Sequence, residues 1–145
     1  MKINKKYLPK SLTIKDRKKQ YNQLLKSRRL YKQGKYFTRK TVKSYKNKKS
    51  SHLSNAYKMY GVDTIEPNEE LSKKTGCSID ALKAIIKKGM GAYYSSGSRP
   101  NQTAESWGKA RLASAITGGK ASKIDFHILD KGCNHTKKAY KVALK

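Results

Sequence analysis

The residues best suited to chemistry form one loop. Ser95, Ser96, Gly97, Ser98 and Arg99 run through Pro100 toward a helix start at Thr103. Free backbone N–H groups at a helix start attract anions, and a guanidinium can grip an oxyanion from the side. No Gly-Lys-Ser/Thr follows at the spacing of a nucleotide-binding loop, and no cofactor motif accompanies it. The plainer alternative, a structural turn fixed by Pro100, carries more weight. Tyr93 and Tyr94 beside this loop could stack on unpaired bases. A core role, with Tyr93 against Trp107, is favoured over stacking.

Other chemistries find less support. Cys77, His127, Cys133 and His135 could supply four metal ligands, but CxxC and HxxxH spacings are absent, so no metal site is expected. The two cysteines, 56 positions apart, suggest no disulfide framework and read as small buried thiols in a reducing compartment. Acid–base or nucleolytic catalysis needs clustered acids or a positioned base. The nine acids are scattered, and the one local group, Asp125, His127 and Asp130, is better read as balancing nearby lysines. Ser96 and Ser98 lack a nucleophile elbow. The chain is therefore expected not to be an enzyme.

The elements that would position these residues are helical. Thr13 caps a helix with Asp16 in its first turn, and Ile14, Tyr21, Leu24, Leu25 and Leu30 mark its apolar side as far as Gly34. Residues 35–49 alternate too weakly for a strand and suit an extended path along a surface. Ser50 or Ser51 starts a short helix that Gly61 ends. Pro67 starts the next helix, Gly76 ends it, Ser78 caps another, and Gly89 ends that one, an arrangement like a helix-turn-helix. The second helix of the pair, Ile79 to Lys88, would offer Lys83, Lys87 and Lys88 to phosphates. It has no Arg, Asn or Gln for base contacts, so sequence-tolerant binding is the expectation, and simple helix packing is the weightier alternative. A further helix over 104–117 carries a seam of Trp107, Ala110, Ala113 (or Ser114) and Ile116. The stretch after Gly119 suits a helix capped by Ser122 or a strand from Ile124, Phe126 and Ile128, with helix favoured. The tail adds a basic helical turn or two.

Charge divides the chain further. Of 35 Lys and Arg against nine acids, residues 1–52 hold 19 with only Asp16 opposing, a net of +18; the remainder nets +8. A formal charge of +26 on 145 residues calls for a polyanionic partner. The expected binding set is Lys15, Arg17, Lys18, Lys19, Arg28, Arg29, Arg39, Lys40, Lys83, Lys87, Lys88 and Arg99. No stretch is apolar enough to span a bilayer, and the first residues lack the core of a secretory signal. The expected fold is a mainly α protein. It comprises a basic, partly helical arm (1–52), a small helical core with the helix-turn-helix-like hairpin (53–132) and a basic tail (133–145).

Three stretches, KYLPKSLTIKDRKKQ, KSSHLSNAYKMYGV and GAYYSSGSRPNQTAESWGKARLASAITGGKA, resemble an uncharacterised domain family of large DNA viruses of algae and protists. The family-like positions are Tyr93, Tyr94, Ser96, Gly97, Arg99, Pro100, Gln102, Trp107 and Arg111. The resemblance stops short of the tail after Cys133. It implies a viral origin and brings no catalytic role. With the charge, it leads to an expected non-enzymatic inner-shell (minor capsid) protein of a virion, docked on viral capsid proteins and able to touch packaged DNA. A sequence-tolerant protein that packages double-stranded DNA is the alternative.

Overall fold

The structure, a computed structural model, describes residues 3–47 and 50–145. It is mainly helical. A 3-10 turn (Lys5–Tyr7) precedes α1 (Ile14–Lys32), α2 (Ser51–Tyr60), α3 (Glu69–Thr75), α4 (Ile79–Ser95), α5 (Ala104–Ile116), α6 (Lys120–Ile124), α7 (Phe126–Gly132) and α8 (Lys138–Ala143). Among the described residues there is no strand, only an isolated antiparallel bridge between Cys77 and Cys133. The ambiguous stretch after Gly119 is thus two short helices.

Capping follows from side-chain chemistry. The Thr13 hydroxyl accepts from the Asp16 N–H, Ser50 from Leu53, and Asn68, not Pro67, caps α3 by accepting from Leu71. Thr103 and Ser106 cap α5 reciprocally, each hydroxyl taking the other's backbone N–H at 3.1 and 3.0 Å. Gly61 and Gly76 end α2 and α3 in the left-handed conformation. Gly89 does not end α4. Its φ is not positive, and the helix continues through Gly91 to Ser95.

By contact the chain falls into two compact units, Met1–Lys49 with Met90–Trp107, and Ser50–Gly89 with Gly108–Lys145. The charge-based arm, core and tail follow a different division. The second unit has an apolar core that includes Tyr60, Ile65, Leu71, Leu82, Ile85, Leu112, Ile116 and Leu129. The Tyr60 hydroxyl donates to the Ile116 carbonyl, and burial pushes its phenol well above the usual range. Asp125, fully buried, takes a bidentate hydrogen-bonded pair from Arg111 at 2.7 and 2.8 Å. Cys77 and Cys133 are joined as a disulfide, which corrects the expectation of free thiols: the bridge pairing their backbones sets the two side chains side by side.

The first unit is built differently, because its interior is largely polar. On α1 the expected stripe is only partly the buried one: Leu24 is fully buried, and Leu25 and Leu30 are half-buried. Ile14 is 79% exposed and Tyr21 is exposed, whereas Gln20, Gln23, Leu24 and Ser27 are buried. Those four stand at the i, i+3, i+4, i+7 spacing of one helix face. The polar members of that face each hold a backbone carbonyl: Gln20 that of Tyr7, Gln23 that of Lys40 in the extended segment after Gly34, and Ser27 that of Tyr94.

Candidate functional site

Residues 39–44 run like a strand whose partners are side chains. The Arg39 N–H donates to the Tyr93 hydroxyl at 2.9 Å, Lys40 N–H to Gln23 Oε1 at 2.6 Å, Val42 N–H to Asn101 Oδ1 at 2.7 Å and Ser44 N–H to Asp16 Oδ2 at 2.8 Å. The carbonyls are met in the same way. Gln23 Nε2 reaches Lys40 O at 3.1 Å, Asn101 Nδ2 reaches Val42 O at 3.2 Å, and Lys19 Nζ reaches Thr41 O at 3.1 Å. Gln23 and Asn101 each satisfy both groups of one residue, as a neighbouring strand would. Asn101 holds φ at 64°, a left-handed value that asparagine tolerates.

Arg39 anchors this segment from inside. Its guanidinium is buried, donates to Ser27 Oγ (2.9 Å), the Tyr93 carbonyl (2.8 Å) and Ser98 Oγ (2.8 Å), and lies 3.8 Å from the centre of the Tyr93 ring. None of these partners is a carboxylate, so the charge is held by dipoles and a π face. Burial pushes its pKa down from the usual arginine value, and the interaction with Tyr93 opposes that shift. A group this enclosed cannot meet a polyanion, so Arg39 leaves the expected binding set as a structural residue.

The loop after Tyr94 is also structural. Ser96 and Gly97 spend their N–H groups on the Ala92 carbonyl at the end of α4, and the Ser96 carbonyl accepts two bonds from Arg28 at 2.9 and 2.7 Å. Those two donors are therefore not open to an anion, in keeping with the structural turn that the sequence favours for this loop. Gly97 is required twice over: its φ is +132°, and a Cβ would come within 2.9 Å of both Leu24 and Tyr7. Pro100 is buried. Gln102 accepts from Ser106 Oγ at 2.7 Å. Trp107 meets Tyr7 edge-on at 6.2 Å, while Tyr93 meets Arg39, so the expected Tyr93–Trp107 packing is replaced by two separate contacts. Tyr94 stacks on Tyr31 (6.2 Å, 11°) and lies 4.9 Å from Tyr36, which is 72% exposed.

The remaining expected contacts are distributed. Lys15, Arg17, Lys18 and Arg29 stand exposed on α1, and the Lys40 residue is exposed next to buried Arg39. Lys83, Lys87 and Lys88 are exposed on α4, and Lys88 also lies 3.7 Å from Asp125 and 3.2 Å from His127 Nε2. Cys77 and Cys133 are bonded to each other, and among the described residues no three His, Cys, Asp or Glu stand close enough to hold a metal ion. Nor is any helix among them long and apolar enough to cross a membrane.

Arg99 has a different setting from its loop. With Lys6, Pro9, Ser11, Ser44, Tyr45 and Lys46 it lines an open cavity of about 530 Å³ in the first unit. Composition alone could not find this site, since its residues come from three segments separated by some thirty to fifty positions each.

Comparison with curated proteins and with solved structures finds no match. A family model does match, over residues 4–134, which takes in both units and ends just beyond Cys133. The chain belongs to the family of unknown function DUF5824.

Proposed function

We propose that this chain is a non-enzymatic structural protein of a large-DNA-virus particle, a basic component on the inner side of the shell that meets capsid proteins and packaged DNA through its cationic surface. The observation that carries this reading is α1, which keeps Lys15, Arg17, Lys18 and Arg29 exposed while its own single acid, Asp16, is engaged with Ser44. Motif likeness to a viral family supports the residence. A helix that spends polar side chains on its buried face and cations on its open face suits a scaffold that holds an acidic surface, not a catalyst.

Cross-linking in intact particles tests the proposal. Links from α1 lysines to capsid proteins are expected; absence of the protein from purified particles would sink the reading. Exposed Ile14 and Tyr36 favour the protein-docking side of it, since apolar side chains add nothing to a phosphate contact. The second reading, sequence-tolerant DNA packaging without a shell role, is favoured by the same α1 cations. It predicts affinity that falls with salt by about 0.9 in log–log slope for each phosphate neutralised.

A further inference from the structure

We propose that the cavity lined by Lys6, Ser11, Tyr45, Lys46 and Arg99 binds a nucleoside 5′-phosphate, with the phosphates among the cations and the base against Tyr45. The inference goes beyond the scaffold reading and does not depend on where the protein resides.

Three cations converge on this cavity from separate segments: Lys6 from the 3-10 turn, Lys46 from the extended segment and Arg99 from the loop before α5. No acid lines it. Asp16, which meets the lining residue Ser44, is already engaged by the Ser44 N–H, and Ser44 holds it below the usual carboxylate range. The side chains of Lys6, Lys46 and Arg99 make no ion pair or hydrogen bond with any described residue. Like charges gathered around one cavity repel, and an anion placed among them relieves that repulsion.

The other cations of this unit show that such convergence is not forced by composition. Lys19, Arg28 and Arg39 all hold backbone carbonyls, and Lys26 lies over the Phe37 ring. Lys6, Lys46 and Arg99 could have been occupied likewise. Instead they border a concavity, together with the Ser11 hydroxyl. Its volume falls within the roughly 300–1,000 Å³ of small-ligand sites. Duplex DNA presents a convex, evenly charged surface and would not enter; one nucleotide, or the phosphorylated end of a strand, would. Tyr45 adds a flat face, which every base can stack on, and Arg99 supplies the forked donor that suits phosphate.

Calorimetric titration of the full chain with inorganic pyrophosphate and with a nucleoside triphosphate tests this, at a fixed salt near 0.15 M. One equivalent of each should bind. Arg99→Gln and Lys46→Gln should each weaken both at least tenfold, while Lys83→Gln, which removes the same charge from α4, should leave them unchanged. Tyr45→Ala should weaken the triphosphate and spare pyrophosphate. Equal losses from Lys83→Gln and Arg99→Gln, several equivalents bound, or no binding would each overturn the proposal, and triphosphate binding indifferent to Tyr45→Ala would overturn the place given to the base. A 5′-phosphorylated oligonucleotide compared with its unphosphorylated twin separates the two sources of ligand. Preference for the former assigns a strand end, and parity with strong triphosphate binding assigns the free nucleotide; either result supports the site.

Discussion

At the scale of single residues, Arg39 shows how a cation can be a core residue. Its three side-chain bonds and its ring contact are all to neutral groups, so removing it uncovers polar atoms without releasing a trapped carboxylate. Arg39→Ala should cost about 3 kcal/mol in urea unfolding, because Tyr93 O, Ser27 and Ser98 lose a buried partner and a cavity is left. Arg39→Lys should recover only part of that, since one ammonium cannot reproduce the fork. Arg29→Ala, on the exposed side of α1, should change stability by about 0.5 kcal/mol or less. Asp16 gives a pH signature. The Ser44 side chain and then its backbone N–H lower the Asp16 pKa in the folded state, so the contact stabilises above the unfolded carboxylate pKa and is lost as pH falls through the folded one. Melting temperature should therefore drop on acidification below about pH 4, and Asp16→Asn should remove part of that acid dependence while lowering stability at neutral pH.

Among the elements, the helices were legible because their ends are written in local chemistry. Thr13, Ser50, Thr103, Gly61 and Gly76 cap or stop helices as their residue types demand. Gly89 failed as a stop signal because a glycine can sit inside a helix, and only the surrounding packing decides which it does. The buried face of α1 was illegible for a different reason. Hydrophobic periodicity finds faces that pack on oil, and Gln20, Gln23 and Ser27 instead hydrogen-bond the carbonyls of Tyr7, Lys40 and Tyr94. The same holds for Asn101, whose role depends on Val42, 59 positions away. The pairing of Cys77 with Cys133 likewise depends on where α3 and α7 end, which spacing does not reveal. That disulfide joins two positions of the second unit and closes a long loop, and chain entropy for a separation of 56 gives about 4 kcal/mol as its contribution. Reduction, or the Cys77→Ser and Cys133→Ser double variant, should lower unfolding free energy by about 2–4 kcal/mol. A reduced protein with unchanged urea midpoint would contradict that.

For the whole molecule the governing quantity is a net charge of +26. Repulsion at that density works against the compact state and is screened within about 10 Å at 0.1 M salt. Melting temperature should accordingly rise between about 0.01 and 0.15 M sodium chloride, the reverse of what a fold held by surface ion pairs would do. The way the first unit is assembled carries a consequence in time. Arg39 finds Tyr93 at a sequence separation of 54 and Ser98 at 59. At about 5–20 residues per second, a growing chain would hold the first fifty residues for roughly 3–11 s before those partners are made. For that interval the nascent polypeptide is a polycation that lacks Tyr93, Ser98 and Asn101 to close on, emerging beside the RNA of the ribosome that makes it. Whatever acid it meets first competes with its own fold, and synthesis ends with a choice between the two.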